Sequence, residues 1–151
     1  MNKKIIFVTV GTGKFNELVK NINEIAKDVK YKFIIQIGNG TYEPKNCKFF
    51  RYDNDLNKYF KAADLVVSHG GAGTIYDLLE KGKKVIGVAN LSRTDAHQND
   101  ILKALSEKGY LIWCKNVKEI KESILEFEKF KFKKYTKPKC KISEKIIEFI
   151  G

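Results

Sequence analysis

The chain has 151 residues, of which 43% are hydrophobic and 31% charged, with a formal net charge of +11. A length near 150 fits one globular domain that buries roughly 68–70% of the surface its unfolded chain exposes. No apolar run approaches the ~18 residues of a membrane-spanning helix, and the N-terminus leads into a strand with no signal-peptide h-region, so the expectation is a cytoplasmic protein.

Cys47, Cys114 and Cys140 are odd in number and widely spaced. They form neither a metal-ligand pattern nor a disulfide framework, which suits a reducing compartment. The positive charge predicts attraction to something anionic, whether nucleic acid, acidic lipid or a phosphorylated ligand. It is uneven: from Lys115 to Lys145 there are eleven lysines against five glutamates. A solvated face accounts for this tail as well as a functional patch does.

Taken in order, Ile5 to Val10 is a β-branched run that reads as a buried strand. Phe15, Leu18, Val19, Ile22, Ile25, Ala26 and Val29 fall at helical spacing and predict a helix over about 15–28. Phe33 to Ile37 is a second strand, ended by Gly38-Asn39-Gly40, and Phe49 to Tyr52 a short third. Leu56, Tyr59 and Phe60 suit a brief helix ending near Ala63. Leu65 to Ser68 is a fourth strand, followed by a helix from about Thr74 to Lys81 that Gly82 stops. Val85 to Val88 is a fifth strand, 98–108 a helix stopped by Gly109, and 110–114 a sixth strand. Helices over 117–127 and about 143–149 complete the chain. Strand and helix alternate throughout, so the fold class is α/β, one Rossmann-like domain over 1–151 with a mostly parallel six-stranded sheet and a lysine-rich helical tail from about 115. Ligands of such sheets bind at the carboxyl ends of the strands, near the switch in strand order.

Three loops at that edge carry chemistry. Gly11-Thr12-Gly13 follows the first strand; it is neither the G-x-G-x-x-G fingerprint, since Asn16 stands where glycine is needed, nor a P-loop. Its small residues let a ligand approach the backbone, and a tight turn explains them equally. Ser68-His69-Gly70-Gly71-Ala72-Gly73-Thr74 presents bare backbone N–H groups at a helix N-terminus, where the dipole and unpaired donors favour a phosphate. His69 adds a hydrogen bond or positive charge. Asp77, one turn into the helix, is placed to accept from the vicinal hydroxyls of a ribose; a glycine-rich turn with a buried histidine is the bland alternative. After the fifth strand, Asn90, Asp95, His97 and Gln98 gather amide, carboxylate and imidazole groups suited to sugar hydroxyls.

The order His69-Gly-Gly-Ala-Gly-Thr, Asp77, Gly82-Lys83-Lys84-Val85 and Asp95-x-His97-Gln98 resembles the C-terminal, donor-binding half of family 28 glycosyltransferases, a GT-B fold. Val8-Thr9-Val10-Gly11-Thr12 with Phe15-x-x-Leu18 resembles one branch more closely. That branch holds the small soluble subunit of the two-part UDP-N-acetylglucosamine transferase of lipid-linked oligosaccharide synthesis, and exopolysaccharide relatives. The resemblance spans residues 5 to about 113. It implies that residues 11–13 and 69–74 cradle a diphosphate, with His69 stabilising the leaving group. Asp77, where the family usually has glutamate, would bind the ribose. The backbone at Arg51 and Tyr52 would meet the uracil, and Asn90, Asp95, His97 and Gln98 would face the sugar. It further implies an inverting transfer without a metal or other cofactor, and a membrane-anchored partner that supplies the lipid-linked acceptor site and the base and recruits this chain to the cytoplasmic face of the membrane. UDP-N-acetylglucosamine leads as donor, with UDP-galactose, UDP-glucose and UDP-glucuronate open.

Rival readings have specific requirements. Asp53-Asn54-Asp55 mimics a D-x-D metal motif but sits in a strand-to-helix turn, where such residues cap. An esterase would need G-x-S-x-G, which the chain lacks. A nucleic-acid-binding module would need basic residues interleaved with exposed aromatics, for which Phe127, Phe130, Phe132 and Tyr135 among the tail lysines are the material; the resemblance points instead to no nucleic-acid partner.

Overall fold

The computed structural model describes residues 3–11, 13–89 and 97–136, with backbone alone at 97 and 98. The β-branched runs become the strands β1 (Ile5–Thr9), β2 (Lys32–Gln36), β3 (Lys48–Phe50), β4 (Leu65–Ser68), β5 (Val85–Val88) and β6 (Ile112–Cys114). They form one sheet in the order β3-β2-β1-β4-β5-β6, and every pairing is parallel. β1 and β4 run with Ile6 beside Leu65 and Thr9 beside Ser68. Strand order reverses there, so the loops leaving β1 and β4 stand side by side.

The helices are α1 (Asn16–Ile25), α2 (Asn57–Ala62), α3 (Ala72–Glu80), α4 (His97–Glu107) and α5 (Ile120–Glu126), the last preceded by a 3₁₀ turn, Val117–Glu119. α1 and α5 cover one face of the sheet, burying Leu18, Ile22, Ile120 and Ile124 against Ile6, Val8, Val67 and Ile86. α2, α3 and α4 cover the other, burying Phe60, Ile75, Leu78 and Leu102 against Phe7, Val66 and Val85. Central strands buried on both sides explain why β1, β4 and β5 read as continuous apolar runs without alternation.

Spacing alone misplaces some ends. α3 starts two residues before the expected Thr74, at Ala72, because the first helical turn tolerates Gly73 where a helix interior would not. The stretch expected as one helix over 117–127 is split, the Asn116 side chain accepting the Lys118 N–H to hold the 3₁₀ turn. The helix expected over 143–149 lies outside the described residues.

Beyond α5 the chain crosses the amino-terminal edge of the sheet. Phe130 and Phe132 pack on the first face, the Lys133 N–H donates to the Gly109 carbonyl at 2.9 Å, and Tyr135 reaches the second face. Its ring lies 5.2 Å from that of Tyr110 and 6.1 Å from that of Tyr76. Phe127 is fully buried. The four aromatics of the basic tail are therefore used in packing, not displayed as a stacking surface.

Candidate functional site

The two glycine loops meet around one side chain. β4 ends at Ser68, and the His69 N–H donates to the Thr9 carbonyl at 3.1 Å, which carries the β1–β4 pairing one residue further. Gly70 then turns the chain with φ +88°, a conformation that glycine adopts without penalty, and α3 begins two residues later. The His69 imidazole is left lying between two glycine backbones. A Cβ on Gly11 would stand 2.9 Å from His69 Cε1, and one on Gly71 would stand 2.7 Å from its Nε2. Both contacts are shorter than real side chains allow, so the ring fits because both neighbours lack one.

The α3 N-terminus faces the same place. Its N-cap is Gly71 and no side chain caps it; the intrahelical ladder starts when the Ile75 N–H reaches the Gly71 carbonyl at 3.0 Å. The amides of the first turn carry the positive end of the helix dipole. Beneath the loops a buried polar row crosses the sheet: Thr9 Oγ1 donates to Gln36 Oε1 at 2.6 Å and accepts from the Gly11 N–H at 3.3 Å. Ser68 Oγ, in register with Thr9, has no hydrogen-bond partner among the described residues.

Of the expected site residues, Gly11, Gly13, His69, Gly70, Gly71, Ala72, Gly73 and Thr74 come together at this switch point. Asp77 lies outward on α3, exposed, with Oδ2 2.9 Å from Lys81 Nζ, which also donates to Asn57 Oδ1 at 2.5 Å. Thr12, Asn90 and Asp95 lie outside the described residues. His97 and Gln98 open α4, so their backbone stands at the carboxyl edge of β5 and β6.

Arg51 and Tyr52 follow β3, and their side chains are taken up by the Gly38–Gly40 turn. Arg51 Nη1 donates to the carbonyls of Gly38 at 3.2 Å and Gly40 at 2.7 Å, its Nη2 pairs with Glu43 at 3.3 Å, and the Tyr52 hydroxyl bonds Asn39 Oδ1. Sequence reasoning missed the turn they hold. Gly38-Asn39-Gly40 registers as the end of a strand, yet the Asn39 N–H donates to the Gly13 carbonyl at 2.9 Å. Asn16 anchors the far side, accepting the Thr41 N–H at 3.0 Å. A Gly-Asn-Gly beside a glycine loop was the available signal.

The D-x-D mimic forms two successive side-chain turns ahead of α2, each carboxylate accepting from the amide two residues on. Asp53 accepts from the Asp55 N–H at 3.0 Å, Lys58 at 2.9 Å and the Tyr59 hydroxyl at 2.9 Å, and Asp55 accepts the Asn57 N–H at 3.0 Å. The Asp55 N–H foremost, then Lys58 and Tyr59, hold the Asp53 carboxyl down to about 2. Burial pushes the Cys47 thiol up to about 11 and raises that of Cys114, so neither is poised as a nucleophile.

Six parallel strands in this order, with two bare loops and a helix N-terminus meeting at the switch point, define a doubly wound α/β domain, a class whose ligands bind at the carboxyl edge. The chain belongs to a particular family of that class: the glycosyltransferase family 28 C-terminal domain, whose profile matches residues 5–150. It is 36% identical over 124 residues, 74% of this chain, to the Mus musculus protein named UDP-N-acetylglucosamine transferase subunit ALG13. It is 30% identical over 135 residues, 83% of this chain, to the Pelagibacter ubique UDP-N-acetylglucosamine–N-acetylmuramyl-(pentapeptide) pyrophosphoryl-undecaprenol N-acetylglucosamine transferase. The matches span only 11% and 38% of those two relatives. The NMR solution structure of ALG13 superposes with a TM-score of 0.65 at 21% identity, covering 96% of this chain and 95% of that one, which shows a shared fold.

Proposed function

We propose that this chain is the donor-binding component of a two-part inverting glycosyltransferase that uses a UDP-sugar, UDP-N-acetylglucosamine first, and a lipid-linked acceptor. The observation that carries the reading is the His69 ring seated between Gly11 and Gly71 beside the uncapped N-terminus of α3. These are the groups a diphosphate leaving group needs, fixed before the substrate arrives.

In this reading the diphosphate lies against the loop leaving β1 and the first amides of α3. Glycosyl transfer breaks the bond between the anomeric carbon and the β-phosphate oxygen, and negative charge grows on the diphosphate. Oriented N–H dipoles and His69 stabilise that charge more in the transition state than in the ground state, which lowers the barrier. The Asp77 carboxylate accepts from the ribose hydroxyls, exchanging its exposed contact with Lys81 for them. Sugar recognition is assigned to the residues at the start of α4 together with Asn90 and Asp95. No metal is called for, since the charge is met by amides and imidazole.

The acceptor hydroxyl must lose a proton, and a membrane-anchored partner with a second Rossmann-like domain supplies the base and the acceptor site and brings this chain to the cytoplasmic membrane face. Two findings support the division. The mouse relative is named a subunit, and the matched segment is a minor part of the Pelagibacter transferase. No described helix is long and apolar enough to cross a membrane.

The test is a thermal-shift panel of UDP-sugars, UDP and other nucleoside diphosphates on the purified chain, followed by transfer assays with and without the partner. A ligand at 100 times its Kd stabilises by about 2.7 kcal/mol, a shift of about 5–11 °C in a domain this size. Absence of any shift with UDP and every UDP-sugar would overturn the donor assignment, and vigorous transfer by the chain alone would overturn the division of labour.

A further inference from the structure

We infer that Arg51 is a positioning residue: through the Gly38–Gly40 turn it sets the backbone of the loop that receives the diphosphate. The inference rests on the proposed UDP-sugar site and adds to it a residue whose side chain touches neither nucleotide nor sugar.

The loop after β1 has no side chains of its own to hold its shape at Gly11 and Gly13, and glycine backbone is the least constrained of any residue. Something outside the loop must fix it. The contacts identify that support. Gly38 packs so closely that an added Cβ would stand 2.3 Å from the Gly13 carbonyl oxygen and 2.9 Å from that of Gly11. The Asn39 N–H donates to the same Gly13 oxygen at 2.9 Å. A trans peptide sends its carbonyl and the next N–H in opposite directions. Fixing the Gly13 carbonyl toward β2 therefore aims the following N–H toward β4, where His69 and the α3 N-terminus stand.

The turn in turn hangs on Arg51. Gly38 has φ +58° and Gly40 is a second glycine, so beyond the single Gly40 N–H to Ile37 carbonyl bond of 2.9 Å the turn has little of its own to stiffen it. One guanidinium nitrogen holds the carbonyls on both sides of Asn39, the other is steadied by Glu43, and the Tyr52 hydroxyl holds the Asn39 side chain. A planar fork of fixed donors does this; a lysine ammonium on a flexible stem keeps the charge without the geometry. Arg51 is thus linked to the candidate phosphate loop through two steps of contact, its own bonds to the Gly38–Gly40 turn and the turn's bond to Gly13.

The test is calorimetric titration of the full chain with UDP and with uridine, for wild type, Arg51→Ala, Arg51→Lys and Tyr52→Phe, each checked for wild-type circular dichroism and melting. Wild type should bind UDP much more tightly than uridine; if it binds neither, the donor site itself is absent and this inference falls with it. Given that binding, Arg51→Ala should weaken UDP by about tenfold or more, ~1.4 kcal/mol, and leave uridine within about threefold. Arg51→Lys should behave like the alanine variant, and Tyr52→Phe should show a smaller loss confined to UDP. Equal losses for UDP and uridine, or full activity of Arg51→Lys as a UDP binder, would overturn the inference, the first by pointing to the base and the second to simple charge attraction. Should Arg51→Ala fail to fold, the Arg51→Lys and Tyr52→Phe ratios decide the matter by the same criteria.

Discussion

The His69 imidazole rests against Gly71 so closely that a single methyl group there would stand 2.7 Å from Nε2. Gly71 has φ −64° and ψ 123°, which any residue adopts, so the need for glycine is set by the ring and not by the backbone.

Gly71→Ala should therefore leave stability within about 1 kcal/mol of wild type, a typical surface-level change, while displacing the ring and weakening UDP about tenfold. Made in a His69→Ala background, the same change should cost little further affinity, because the two act through one contact. Titration of the four proteins closes the cycle; additive losses would refute the shared contact. Gly11→Ala carries an added backbone cost of about 1–2 kcal/mol because its φ is +68°.

Asp77 tests the ribose contact. Its exposed i,i+4 pair with Lys81 is worth only about 0.3–0.5 kcal/mol, so a ligand displaces it readily. Asp77→Asn should weaken UDP by roughly tenfold and weaken 2′-deoxy-UDP less, whereas Lys81→Met should change either by under about threefold. Equal effects of Asp77→Asn on both nucleotides would remove the carboxylate from the ribose.

Acid should loosen the turn before α2. The Asp53 carboxyl is held at about 2 in the fold against about 3.9 unfolded, so its contribution is present above pH 4 and is lost as pH falls toward 2. Melting curves of wild type and Asp53→Asn should lie apart at pH 6 and converge by pH 2. A gap that persists at the acid end would mean the carboxylate's charge is irrelevant.

β5 contains a glycine that packing demands. A Cβ on Gly87 would fall 2.2 Å from Leu102 Cδ2 of α4, so Gly87→Ala should destabilise by about 1–3 kcal/mol through overpacking. Adding Leu102→Val should recover part of the loss in urea denaturation; no recovery would place the strain elsewhere.

The fold was legible because its signals are local. β4 and β5 fall where the β-branched runs fall, since a strand buried on both faces writes itself as a continuous apolar segment, and Gly82 and Gly109 mark the turns that follow α3 and α4. The glycine cluster at 70–73 and His69 were legible as a candidate site for the same reason: strand, turn and helix N-terminus are adjacent in sequence. What was hidden depends on contacts between distant residues. Nothing in Arg51 or its neighbours announces that its side chain turns back thirteen positions to the Gly38 carbonyl, and nothing at Gly11 announces a histidine fifty-eight positions away. Asp77 was readable as to face and depth on its helix, but not its partnership with Lys81, which depends on which rotamers the two exposed chains adopt.

The segment from Phe130 to Tyr135 touches helices on opposite sides of the sheet, with a main-chain bond to Gly109 midway. It works as a strap: the layer of α1 and α5 and the layer of α3 and α4 share one fastening. Severing the chain within it would free both layers at once and strip Tyr135 from Tyr76 and Tyr110 together, so that damage at the margin of the domain is felt by the helix whose opposite end forms the candidate phosphate site.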